Sequence, residues 1–170
     1  MTARLNEVRA VVVTVSTRGA AGTRVDESGP AMQQALEAAG HRVLSRAIVS
    51  DDAARIEATL RTAVASGANV VLTTGGTGLS PNDVTPEATR RVIDREVPGI
   101  AEALRQRSLV ATPHGMLSRG VAGAHGAVLI VNLPGSPRAV RESLAVLIPV
   151  LPHAVELLAG ATGEGGHRAT

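Results

Sequence analysis

Cysteine, lysine, phenylalanine, tyrosine and tryptophan are all absent from the 170 residues. Each absence removes chemistry. Without Cys no disulfide, thiol nucleophile or thiolate zinc site can form, and without Lys there is neither a Schiff base nor the lysine of a P-loop. With no aromatic side chain to stack on it, a bound ring must rest on aliphatic, Gly, Pro or Arg surfaces. Long hydrophobic runs are missing too. None reaches the roughly 18 residues of a membrane span, and the opening MTARLNEVRA lacks the apolar centre of a signal peptide. A cytoplasmic protein without a membrane partner is expected.

A large excess of one charge is also missing: the formal net charge is +2. The isoelectric point near 10.8 follows because nothing titrates between the His and Arg ranges. The arginines are scattered, and their closest group, Arg90, Arg91 and Arg95, reads as a solvated helix face, so no nucleic-acid partner is expected. His41, His114, His125, His153 and His167 show no metal-ligand spacing. Ser16, Ser118 and Ser136 lack a G-x-S-x-G context, which excludes a hydrolase triad.

What is present is an ordinary globular composition, 44% hydrophobic and 19% charged. The length suits one domain, expected over 1–159, with 160–170 as a flexible C-terminal tail. Val11 to Val15 is too continuously β-branched for a half-exposed strand and predicts one covered on both faces, as in a parallel sheet. Strands are likewise predicted at 41–49, 69–72 and 128–133, with 116–122 as an extra one. Helical spacing predicts helices after Pro30, from Ile56 to Val64, from Pro86 to about Arg95, from Pro98 to about Leu109, and a long final helix that Pro149 and Pro152 bend. This alternation predicts an α/β fold, a three-layer αβα sandwich with a mostly parallel sheet. Ligands in such sheets bind beyond the carboxyl ends of the strands.

The stretch on which the function turns is Thr73 to Thr89, TTGGTGLSPNDVTPEAT. It joins a buried strand to a helix start through a glycine-rich loop. Gly75, Gly76 and Gly78 permit left-handed backbone and close approach to a ligand, while Thr73, Thr74 and Thr77 offer hydroxyls and successive N–H groups, a combination suited to phosphate. A second loop, Pro134-Gly135-Ser136-Pro137, occupies the corresponding place after another strand, with Ser136 as N-cap and Pro137 as first helical residue. Asp51 and Asp83 complete the pattern, since two carboxylates beside a phosphate loop are what Mg²⁺ shared with a nucleotide requires. Spacing alone leaves Asp51 equally open to helix capping. Asp83 has no evident local duty, because Thr85 is placed to cap the helix at Pro86. Arg119 and Arg138 flank the loops and could hold phosphate bidentately.

Together, TTGGTGLSPNDVTPEAT, VPGIAEALR, LSRGVAG and VLIVNLPGSPRAV closely resemble the MoaB/Mog family of molybdenum cofactor biosynthesis proteins, over nearly the whole chain. The resemblance implies the molybdopterin-binding fold and an adenylyl transfer. In that reaction the terminal phosphate of molybdopterin attacks the α-phosphate of Mg²⁺-bound ATP, releasing pyrophosphate. It implies Asp51 and Asp83 as the functional acidic pair holding Mg²⁺. The expected binding residues are Ser16, Thr74, Gly75, Gly76, Thr77, Gly78, Ser118, Arg119, Pro134, Gly135 and Ser136. It also implies a homo-oligomer, trimer or hexamer, and contact with a molybdenum-insertion protein. Asn82 stands where family members commonly carry Arg, one positive charge fewer near the expected phosphate path. That departure motivates an alternative, a non-catalytic molybdopterin-binding or carrier protein.

Overall fold

The computed structural model describes residues 6–160, so nearly all of the expected tail, 161–170, lies outside the described residues. Strands β1 (Arg9–Val15), β3 (Val70–Thr74) and β6 (Val128–Leu133) arise from the continuous aliphatic runs and are buried almost throughout. Strand β2 (Arg42–Val49) forms one edge, and the short β5 (Ala122–His125) and β4 (Arg95–Glu96) finish the other. The order is β2-β1-β3-β6-β5-β4. Strand β1 runs parallel to β2 and β3, and β3 parallel to β6, while β5 and β4 are antiparallel additions.

The helices among the described residues are α1 (Thr17–Ala20), α2 (Ser28–Ala38), α3 (Ala53–Ala65), α4 (Thr85–Arg90), α5 (Pro98–Ala111), α6 (Pro137–Leu147) and α7 (Leu151–Leu158). Alternate strand residues serve opposite layers. Ala10, Val12, Val70 and Leu72 pack with Met32, Leu36, Leu104 and Leu144 of α2, α5 and α6. Val11, Val13 and Val71 pack with Ile56, Leu60 and Ala88 of α3 and α4. The crossover through α2 carries the chain outward from β1 to β2, and the one through α3 returns it to β3 on the far side of β1. The topological switch point therefore lies between β1 and β3.

Three expectations are corrected. The helix from Pro86 ends at Arg90, because the sheet edge captures the residues beyond it: Asp94 and Val97 N–H donate to the carbonyls of Ala124 and Ala122, at 2.8 Å each, and Arg95 enters β4. The extra strand sits at 122–125, and Pro113–Leu117 is a 3-10 turn. The final helix is interrupted: α6 stops at Leu147, Ile148–Val150 forms a 3-10 turn around Pro149, which has no N–H to give, and α7 restarts with Pro152 in its first turn.

A buried polar hub locks β3, β6 and α4 together. The Asn132 amide nitrogen donates to the hydroxyls of Thr73 (3.0 Å) and Thr89 (2.9 Å), and its oxygen accepts from the Val121 N–H (3.2 Å). Asn132→Ala strands three buried polar groups at once, so it is expected to destabilise by about 3 kcal/mol. Urea unfolding measures this, and a loss below about 1 kcal/mol would show the hub to be dispensable.

At the opposite end of the sheet, His41 Nε2 is buried without a hydrogen-bond partner. Burial pulls the His41 pKa below its ordinary value, outweighing the contact with the Ile148 backbone, which raises it. The unfolded chain therefore takes up the proton first. Stability is full above the ordinary value of 6.5 and declines as pH falls below it. Between about pH 7.5 and 5.5, His41→Gln should lose less stability than the parent; equal losses in urea melts would remove His41 from the account.

Candidate active site

Strands β1, β2, β3 and β6 end at one rim, in register: Val15 lies opposite Val49, Thr14 opposite Thr74, and Thr74 opposite Leu133. The chain leaving these strands lines a cavity of about 430 Å³. Ser16 enters it from β1, Asp51 from β2, Thr74 and Gly75 from β3, and Gly135 and Ser136 from β6. Asp83 comes in from the far end of the glycine loop. The two acidic residues and both loops thus face one hollow.

Each carboxylate is held by one oxygen. Asp51 Oδ2 accepts from the N–H (2.8 Å) and hydroxyl (2.7 Å) of Thr17, and that hydroxyl accepts from the Asp51 N–H (3.0 Å). Helix capping belongs instead to Asp52, which accepts from the Arg55 N–H at 2.9 Å. Asp83 Oδ2 accepts from the Ser80 N–H at 2.9 Å. Asp83 therefore does have a local duty, and the expected cap is corrected: Val84 occupies the N-cap of α4, and the Thr85 hydroxyl donates to the Gly75 carbonyl (2.9 Å). The Oδ1 atoms of both Asp51 and Asp83 have no hydrogen-bond partner among the described residues.

The glycine loop turns back on the sheet. Gly75 and Gly76 have φ of 95° and 65°, and a Cβ on Gly75 would lie 2.3 Å from the Val15 carbonyl oxygen. Two expected hydroxyls are not free donors. Thr73 is buried in the Asn132 hub, and Thr74 donates to the Pro134 carbonyl at 2.7 Å, stitching the two loops together. Ser28 fixes the second loop from α2 by donating to the Gly135 carbonyl (2.8 Å). Ser136 caps α6 as expected, accepting from the Ala139 N–H at 3.2 Å.

The expected binding residues do not all face one space. Thr77, Gly78, Ser118 and Pro134 line a second hollow of about 240 Å³, walled by Leu104 and Leu117 and bordered by Arg105 and His114. Gly76 lies in the partition, with Gly75 on one side and Thr77 on the other. Arg119 lines neither hollow; it borders a third depression with Arg90, Glu96 and Arg105. Arg138 pairs with Glu142 on the surface.

Sequence reasoning overlooked Arg18, Arg24 and Asp26, which also line the larger hollow. Asp26 is held at both oxygens, by the Thr14 hydroxyl (2.9 Å) and the Gly29 N–H (3.0 Å). Neither Arg18 nor Arg24 forms an ion pair among the described residues. The signal available was the density of charge between β1 and α2 in sequence.

Among the described residues no three His, Asp or Glu side chains cluster as a complete metal site. Two carboxylates, each with one uncommitted oxygen, suit a hard cation that takes its remaining ligands from water and phosphate.

The model of the family described as "Probable molybdopterin binding domain" matches residues 11–153. A Molybdenum cofactor biosynthesis bifunctional protein from Synechococcus elongatus is 42% identical over 94% of this chain, although the chain spans only 50% of that protein's length. A Molybdopterin adenylyltransferase from Helicobacter pylori is 38% identical, with 88% of this chain and 86% of the relative aligned. Among solved structures, the Molybdopterin biosynthesis enzyme MoaB from Thermus thermophilus superposes with a TM-score of 0.84 at 47% identity, covering 90% of this chain and 97% of the other. Sequence, fold and rim geometry agree, and the chain belongs to the molybdopterin-binding domain family of molybdenum cofactor biosynthesis proteins.

Proposed function

We propose that the protein is a molybdopterin adenylyltransferase that moves AMP from ATP to the terminal phosphate of molybdopterin. The observation behind this reading is that Asp51 and Asp83, each with one oxygen free of hydrogen bonds among the described residues, line one hollow together with residues of both loops. The likeness to the Helicobacter adenylyltransferase over most of both chains supports it.

Chemically, a phosphate oxygen of molybdopterin bonds to the α-phosphorus of ATP while the bond to the bridging oxygen breaks and pyrophosphate leaves. The phosphate nucleophile is already an anion near neutral pH, so no general base is needed. Catalysis then consists of holding two phosphates in line and neutralising charge. Asp26, Glu27, Asp51 and Asp83 against Arg18 and Arg24 leave the larger hollow net negative, and a bare polyphosphate would be repelled. Asp51 and Asp83 would hold Mg²⁺, whose positive charge would offset that repulsion and the charge that develops on the leaving pyrophosphate.

The larger hollow suits the nucleotide and its phosphates. The smaller one, with Leu104 and Leu117 for a ring to lie on, suits the pterin. Gly75 to Gly78 forms the partition, so the two reacting phosphates would have to meet at its open edge rather than through it. The uncommitted guanidiniums of Arg18 and Arg24 offer the positive charge that Asn82 does not. The expected oligomer finds support in Leu109, Val110, Met116 and Leu117, large apolar side chains exposed where α5 meets the 3-10 turn after it. A cytoplasmic setting and transfer of the product to a molybdenum-insertion protein belong to the same reading.

Asp83→Asn keeps the shape and an acceptor for the Ser80 N–H but removes the charge. Turnover is expected to fall about 100-fold or more with molybdopterin affinity nearly unchanged. Pyrophosphate release from ATP, with and without molybdopterin, measures it; undiminished turnover would remove Asp83 from the mechanism, and a wild-type chain that binds molybdopterin without releasing pyrophosphate would be the carrier. Asp51→Asn should raise the Mg²⁺ concentration for half-maximal rate by about tenfold; an unchanged requirement would place the metal elsewhere.

A further inference from the structure

The chain from Leu79 to Asn82 is exposed and has little besides local turns to hold it: the Asp83 N–H donates to the Ser80 carbonyl (2.8 Å) and the Ser80 N–H to Asp83 Oδ2 (2.9 Å). A turn closed on itself does not fix where Asp83 sits relative to Asp51. Thr85 ties the chain after Asp83 back to Gly75 and Gly76, and a second anchor, on Asp83 itself, comes from 36 residues further along the chain. The Arg119 N–H donates to the Thr77 carbonyl at 2.8 Å, and its side chain reaches back over the loop. Nε donates to the Gly78 carbonyl (2.7 Å) and Nη2 to the Asp83 carbonyl (2.5 Å). Nη1 meets the Glu87 carboxylate in the first turn of α4. One planar fork therefore grips both ends of the six-residue turn and the start of α4.

We propose that Arg119 is a positioning residue, which fixes the Asp83 carboxylate in the larger hollow by clamping Gly78 and Asp83 through their carbonyls, with Glu87 as its counter-charge. The inference rests on the adenylyltransferase reading and changes the duty expected of Arg119: its guanidinium is engaged by the protein and borders neither substrate hollow. Glu87 suits the part. The hydrogen bond from Arg119 holds its carboxyl below the usual carboxylate range, outweighing the desolvation that raises it. The pair consequently stays ionised at neutral pH. The tight contact between Gly78 and Asp83 points the same way: a Cβ on Gly78 would lie 2.8 Å from Asp83 Oδ2, so small movements of this turn are movements of the carboxylate.

Arg119→Gln, Arg119→Lys and Glu87→Gln separate positioning from phosphate contact. Lysine is a point charge that cannot reproduce the fork. Both Arg119 variants should therefore lose about 10- to 100-fold in kcat while KM for ATP moves less than about threefold. Glu87→Gln, which leaves both carbonyl contacts in place, should lose less than either. A KM raised about tenfold or more at nearly constant kcat, or full rescue by Lys, would make Arg119 a phosphate ligand and overturn the inference. Hydrogen–deuterium exchange on the same proteins supplies a readout independent of turnover. Arg119→Gln should speed exchange within 78–85 by about tenfold and leave β1, β3 and β6 protected. If the wild-type chain transfers no AMP, the adenylyltransferase reading fails while exchange still decides the clamp; unchanged exchange overturns the clamp whatever the activity.

Discussion

The structure depends on how closely the chain leaving β3 folds back on the end of β1. At Gly75 the backbone passes the Val15 carbonyl with room for a hydrogen and nothing larger. At Gly76 a Cβ would meet the Thr85 hydroxyl at 2.3 Å, and that hydroxyl donates to the Gly75 carbonyl. Positive φ at both residues makes the approach possible without strain. Because the turn is this tight, the Thr85 N–H reaches the Gly76 carbonyl (3.1 Å) and α4 begins directly beneath the loop. The partition between the two hollows is thus a tightly folded turn, with Gly75 lining one hollow and Thr77 and Gly78 the other.

Around that wall the carboxylates are oriented in the same way by different means. Thr17 holds one oxygen of Asp51 with its N–H and its hydroxyl, and Ser80 holds one oxygen of Asp83 with its N–H. Both partners are neutral donors, one of them 34 residues away in sequence and the other in the same turn, so the negative charge is kept in the wall of the cavity. A guanidinium in either position would have neutralised the group that a cation requires. The positive charge is instead set behind the loop, where Arg119 meets carbonyls and Glu87, and along the rim, where Arg18 and Arg24 have no carboxylate partner among the described residues. This segregation is electrostatic preorganisation: little has to reorient when a charged ligand arrives.

Much of the frame was legible in the sequence because burial on both faces leaves a plain signature. Val11 to Val15 and Val128 to Leu133 could hardly be anything but central strands, and Ser136 marked a helix start by local chemistry. What escaped was set by distant partners. Arg95 and Glu96 have no strand character of their own and pair only because β5 presents Gly123 and Ala124. Thr85 looked like a cap, yet its hydroxyl found a stronger claim ten residues upstream. Arg119 looked like a free cation because nothing within its own segment reveals that Gly78, Asp83 and Glu87 will lie beneath it. That Asp51, Asp83 and parts of both loops would share one rim was legible; the division of the expected residues between two hollows was not, since that depends on which face of a loop each residue takes.

The missing residue types shape this arrangement as much as those present. A chain with Arg as its only permanent cation cannot place a mobile ammonium beside a phosphate; it must use planar forks, which are best held against carbonyls and carboxylates of fixed geometry. Arg119 is used in that way. A chain without aromatics cannot stack on a heterocycle, so recognition of a ring would fall to close packing between aliphatic walls such as Leu104 and Leu117 and to backbone polar groups at the loop edge. Packing of that kind works only between rigid surfaces, because dispersion falls off within a fraction of an ångström. The rigidity is supplied by the Asn132 hub, which reaches the smaller hollow itself and ties its floor to β3 and α4. The polar network that stabilises the core and the surface that would receive a ring therefore share one side chain.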